Sequence, residues 1–234
     1  MMLKKMGLEI MTYVLVLGGF LCAAILGSRA VTVVSQMVPV EREHIIVIDP
    51  GHGGEDGGAT SCTGVPESRF NLEITHRLED LLHLLGYDTL MTRETDVSIY
   101  TQGDTIAGKK ASDLKERVRI VNARENALLV SIHQNLFPDS RYSGAQVFYS
   151  PTEDSDELAK AMQARFVQTI NPCSNRQAKK AEGIYLMQHI NCTGILIECG
   201  FLSNPQEEAA LRSSDYQQKL CCVIATGLTE FLTR

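Results

Sequence analysis

The stretch Ile45-Ile46-Val47-Ile48-Asp49-Pro50-Gly51-His52-Gly53-Gly54 passes from an unbroken β-branched run into a glycine-rich turn. Four such residues in a row suit a strand covered on both faces, as the inner strands of a parallel sheet are. Glycines around His52 permit tight, positive-φ turns and a close approach of backbone to a ligand. A histidine delivered just past a buried strand fits an α/β sheet, where active residues collect at the C-terminal strand ends.

Outward from this stretch, strand-like and helix-like segments alternate. Residues 71–85 carry Leu72, Leu78, Leu81, Leu82 and Leu85 at helical spacing and stop at Gly86. Strands are expected over 87–91, 128–132, 145–149, 184–187 and 195–197. Helices are expected over 114–126, 154–170 and 216–232, the second with acidic residues in its first turn and Pro172 past its end. The alternation predicts a three-layer α/β/α domain with a mostly parallel or mixed central sheet.

Three of these strands end on chemistry. His52 follows the first, His133 follows 128–132, and Glu198 follows 195–197. Alternation sends Ser131 and His133 to one side of their strand and Ile132 to the other. Glu67 precedes the first long helix, where a carboxylate is also favoured by the helix dipole. Each residue taken alone reads as structural. Together, His52, Glu67 and His133 make a common catalytic zinc set with a fourth position open for water. Zinc would bring the pKa of that water toward ~7. Amide hydrolysis also needs a proton carrier that is not a ligand, and Glu198 suits it. Its apolar flanks, Gly194–Ile197 and Gly200–Leu202, would raise its pKa on burial. A bland role for Glu198 is a buried ion pair with Arg93 or Arg117.

The start of the chain reads differently. Lys4 and Lys5 precede an uncharged run, residues 10–28, with Ser28 and Ala30 as a small-x-small cleavage site. That is the order of an export signal, and the run is also long enough to span a bilayer as an anchor. The expected organisation is therefore a signal peptide or membrane anchor plus linker over 1–40 and a catalytic domain over 41–234, with the domain outside the cytoplasm and membrane contact through the leader if it stays uncleaved. A net charge of −6 argues against nucleic acid as a partner. The mixed-sign cluster from Lys109 to Arg119 reads as a solvated helix face or a loop.

Seven cysteines, an odd number without a CxxC pair, exclude a disulfide framework and a four-cysteine zinc site. Most are expected to be buried small hydrophobes, with one bridge, Cys173 to Cys192, left open. Cys62 lies between two proposed ligands and ranks below Glu67 as a zinc donor. Cys199 should point away from the metal by strand alternation. His44, His76, His83 and His189 are expected on the surface or on helix faces.

Six segments in order then carry a resemblance: residues 46–59 (IVIDPGHGGEDGGA), 67–74 (ESRFNLEI), 91–96 (MTRETD), 114–122 (LKERVRIVN), 129–135 (LVSIHQN) and 195–204 (ILIECGFLSN). The chain from Ile45 to Leu232 resembles the zinc-dependent N-acetylmuramoyl-L-alanine amidases of the amidase 3 type. The resemblance implies peptidoglycan as substrate and cleavage between the lactyl group of N-acetylmuramic acid and L-alanine. It places His52, Glu67 and His133 on the family's Zn2+ ligands and Glu198 on its catalytic glutamate. Arg93, Arg117 and Asn122 fall on recurring polar positions of undefined role. Residues 101–113, 143–150 and 183–188 are similar to germination-specific, spore-cortex members, which implies a role in muramic-δ-lactam formation; some such relatives need a lipoprotein partner. Two other readings stand beside it: a catalytically silent wall-binding module, and a zinc peptidase cutting within the stem peptide.

Overall fold

The computed structural model describes residues 44–234, and the expected leader over 1–40 lies outside the described residues. In chain order the elements are β1 (Ile45–Pro50), α1 (Glu67–Leu84), β2 (Thr89–Met91), α2 (Ile106–Asn122), β3 (Ala127–Asn135), β4 (Gln146–Tyr149), α3 (Ser155–Thr169), β5 (Lys179–Lys180), α4 (Tyr185–His189), β6 (Thr193–Phe201), α5 (Pro205–Leu211) and α6 (Ser214–Leu232). The strands form one sheet in the order β2-β1-β3-β6-β4-β5. β2, β1, β3 and β6 run parallel, and β4 turns antiparallel against β6. The sheet is mixed, as the alternation of elements implied. Among the described residues, no helix is long and apolar enough to cross a membrane.

Strand alternation sorts the side chains into two cores. Ile46, Ile48, Val130, Ile132 and Ile197 pack with Phe70 and Leu78 of α1, Phe166 of α3 and Ile224 of α6. Val47, Leu129 and Leu196 pack on the opposite face with Val121 of α2 and Leu186 and Met187 of α4. Full burial of each such Leu, Ile or Phe contributes about 1.5–3 kcal/mol. The same alternation continues Val47 into Asp49, Leu129 into Ser131 and His133, and Leu196 into Glu198. All four polar groups therefore emerge on the α2–α4 side, at the C-terminal end of the parallel strands.

Several elements depart from the sequence reading. Residues 184–187 were expected as a strand but lie at the start of helix α4, with Leu186 and Met187 buried. The segment lies on the face of the sheet instead of in it: Leu186 and Met187 pack on Val47, Leu129 and Leu196, with Ile184 beside them. α2 starts eight residues before the expected 114, because the Thr105 hydroxyl accepts from Gly108 N at 3.1 Å and caps it. Thus most of the cluster from Lys109 to Arg119 is a helix face rather than a loop, although Arg117 is buried in it. α5 was not foreseen, despite a strong signal: the Asn204 side chain caps it and Pro205 stands in its first turn.

Candidate active site

β1 ends at Pro50, and His52 sits at φ 60°, in the left-handed region that residues other than glycine seldom adopt. The turn brings its imidazole back over the strand end. Two glycines are there for space: a Cβ on Gly51 would lie 2.2 Å from the His133 ring, and one on Gly58 would lie 2.6 Å from Glu67 Oε2.

Glu67 opens α1 and is 3% exposed. Its Oε1 accepts from Gln134 N at 3.1 Å and Asn71 Nδ2 at 3.2 Å, and its Oε2 accepts from Ala59 N at 3.0 Å. His133 Nδ1 lies 2.9 Å from Oε1, and His52 Nε2 lies 3.3 Å from Oε2. The donor atoms of His52, Glu67 and His133 all fall within 4.8 Å of one another. The other ring nitrogen of His52 faces Asp56 Oδ2 at 3.0 Å, which leaves Nε2 for the cluster. Burial works to raise the Glu67 carboxyl, but the two histidines outweigh it and hold the group ionised, well below the usual carboxylate range. Burial likewise opposes protonation of His52, yet Glu67 and Asp56 raise its pKa.

Glu198 stands across from His133 in the β3–β6 register. Its Oε2 is buried and has no hydrogen-bond partner. Burial raises its pKa to about 7, with His133 pulling it down and Glu67 pushing it up by smaller amounts. Both face a cleft of about 200 Å³ that also includes His52, Leu114, Ile184 and Leu186. Larger hollows of about 970 and 690 Å³ exist elsewhere, but neither contains a residue of this constellation.

Such a constellation on a mixed α/β sheet is matched in known proteins. Residues 46–230 match the family model described as N-acetylmuramoyl-L-alanine amidase, of the amidase 3 type. This chain belongs to that amidase family. The germination-specific N-acetylmuramoyl-L-alanine amidase of Bacillus subtilis (strain 168) is 39% identical over 81% of this chain and 80% of its own length. The CwlD amidase of Clostridioides difficile, solved in complex with the GerS lipoprotein, superposes with a TM-score of 0.77 at 37% identity, over 81% of this chain and 98% of that one. An N-acetylmuramoyl-L-alanine amidase of Clostridium difficile 630 superposes with a TM-score of 0.72 at 29% identity, over 82% and 98%. The chain is therefore an enzyme, an amidase of peptidoglycan, which sets aside the silent-module reading.

The amidase corrects several expectations about single residues. Neither arginine pairs with Glu198. Arg117 is committed to Asp49 and Asp113, at 2.6 Å each, and Arg93 donates to backbone carbonyls. Asn122 ties α2 to the segment after α4, donating to His189 O and accepting from Asn191 N. Of the six described cysteines, only Cys199 and Cys221 are buried; Cys62, Cys173 and Cys222 are exposed and Cys192 is partly so, all as free thiols. The loops and helix faces that carry them border solvent rather than the core. Cys62 stands outside the donor cluster, and Cys199 faces the α1–α6 core. His44, His83 and His189 are exposed and His76 partly so. Three contributors went unread in the sequence. Asp49 is fully enclosed by Arg117, Thr92 and Ser131. Asp56 stands four residues past His52, and Asn71 one turn past Glu67. The four-residue spacings of Asp56 from His52 and of Asn71 from Glu67 were the available signals.

Proposed function

We propose that the amidase holds Zn2+ through His52, Glu67 and His133 and uses Glu198 as its proton carrier. The substrate bond is the amide between the lactyl group of N-acetylmuramic acid and L-alanine of the stem peptide. The observation that carries this reading is the convergence of two imidazoles and an ionised carboxylate beside a buried carboxylate, Glu198, with an oxygen free of partners. The donor set fits zinc: nitrogen and oxygen ligands, a deprotonated glutamate, and Asp56 behind His52 to fix its tautomer. When bound, zinc supplies a Lewis acid that polarises a carbonyl and makes water nucleophilic near neutral pH. Glu198, held near pH 7 by burial, takes a proton from the attacking water and returns it to the leaving amine. Ile184, Leu186 and Leu114 give the cleft an apolar wall.

Similarity to a germination-specific amidase supports a place in spore-cortex maturation, where muramic-δ-lactam forms after the stem peptide is removed. The C. difficile relative solved with a lipoprotein supports a lipoprotein activator for this chain as well. An extracytoplasmic location follows, with residues 1–40 as export signal or membrane anchor.

Zinc content of the purified chain, followed by chelation and zinc readdition on intact peptidoglycan, tests the reading. Stoichiometric zinc and chelator-sensitive release of stem peptides with a free lactyl carboxyl are expected. Cut peptide with an intact lactyl amide would instead make the protein a peptidase.

A further inference from the structure

Two arginines lie side by side behind the His52 turn, Arg93 at 3% and Arg117 at 2% exposure. They share the Pro50 carbonyl, which accepts from Arg93 Nε at 2.9 Å and Arg117 Nη1 at 2.8 Å. The next carbonyl, Gly51, accepts from Arg93 Nη2 at 3.0 Å, and that of His52 from Arg117 Nη2 at 2.6 Å. Three consecutive carbonyls of the strained turn are thus held by guanidinium groups. Arg93 Nη2 also donates to Ser68 O at 3.1 Å, and Nη1 to Thr95 O at 2.9 Å. One nitrogen therefore joins the residue before His52 to the residue after Glu67.

The arrangement is costly. Burial, and then the adjacent Arg117, bring the Arg93 pKa down to about 10. Asp49 and Asp113 both serve Arg117 directly, whereas among the described residues Arg93 donates only to backbone carbonyls. A buried cation bonded only to carbonyls is poor value for stability. It does provide a rigid fork of donors that no other side chain offers.

We propose that Arg93 and Arg117 are positioning residues: together they lock the left-handed His52 turn against the Glu67 turn and so set the affinity of the site for zinc. The inference rests on the zinc reading above. The guanidinium groups act through His52 and Glu67, the way outer partners of ligands tune metal sites, where their loss costs about 10–100-fold in affinity.

The test compares the full-length parent chain with Arg93→Lys and Arg117→Lys, which keep the charge but lose the fork. Zinc affinity is read by competition with a chromophoric chelator, and folding by far-UV circular dichroism and thermal melting. We expect both variants to fold, to bind zinc about 10–100-fold more weakly, and to recover most activity at saturating zinc. Parent-like affinity in both folded variants overturns the clamp alone. So does failure of both to fold, since the arginines would then serve the fold rather than His52. A parent chain that takes up no zinc overturns the zinc reading, and the clamp with it.

Discussion

His133 and Glu198 are register partners on adjacent parallel strands, β3 and β6, on the same face of the sheet. A candidate ligand and a candidate proton carrier are thereby set side by side by backbone hydrogen bonds, not by flexible loops. Replacing Glu198 should leave the neighbouring cluster in place. Glu198→Ala is expected to fold, keep its zinc and lose about 10²–10⁴-fold in kcat, the scale of acid–base catalysis. Full activity in a folded, metal-loaded variant would remove Glu198 from the mechanism.

Part of the acid sensitivity should trace to Asp49, beside the contribution of the ionised Glu67. Burial works to raise this carboxyl, but Arg117, Thr92 and Ser131 outweigh it and bring it from 3.8 to about 2. An acid with a depressed folded-state pKa stabilises the fold above its unfolded pKa and loses that contribution as pH falls through the folded one. The window here is pH 4 down to 2, and the contribution is about 2 kcal/mol. Urea melts at pH 5 and pH 2 should differ by this amount or more. Asp49→Asn should be less stable by about 3–5 kcal/mol at neutral pH, because Arg117 loses its buried partner. Its stability should also change less across the acid window; an unchanged acid slope would assign the effect elsewhere.

Gly51→Ala tests the crowding of the site without invoking backbone strain, since Gly51 is not among the positive-φ glycines. The added methyl would sit 2.2 Å from the His133 ring, so the ring must move. Overpacking of this kind costs about 1–3 kcal/mol. The variant should melt lower and bind zinc more weakly. Unaltered zinc affinity would mean that His133 is not held where its role requires.

Thiol accessibility should follow burial. Cys199 is fully enclosed, and burial drives its thiol pKa far up; burial also raises Cys221, to about 12. Under native conditions an alkylating reagent should label Cys62, Cys173 and Cys222 quickly and spare Cys199 and Cys221. Peptide mapping by mass spectrometry reads the pattern, and rapid labelling of Cys199 would contradict the packing of β6 against the α1–α6 core.

The candidate residues of the site are easier to read in the sequence than the groups that support them. His52, His133 and Glu198 each follow a β-branched or apolar run, so a strand-end rule finds them. The supports are harder: an ion pair of Glu198 with Arg93 or Arg117 stands as its bland alternative, because charge type says nothing about which groups meet, and the fold gives Arg117 to Asp49 and Asp113 and Arg93 to backbone carbonyls. The segment 184–187 differs for another reason: four apolar residues fit either period, and only the packing of Leu186 and Met187 onto the face of the sheet makes it helical.

Local sequence by itself determined the layered α/β architecture, because the periods of 2 and 3.6 and the capping residues are written in adjacent positions. It also determined which residues could do the chemistry, since strand ends and glycine turns are local signals. The tertiary structure alone decided how those residues are held. Asp49 meets Arg117 across 68 positions, Glu67 meets His133 across 66, and Arg93 reaches Pro50 across 43. Such pairings depend on sheet order and strand register, which are set when the whole core packs and which no local period encodes.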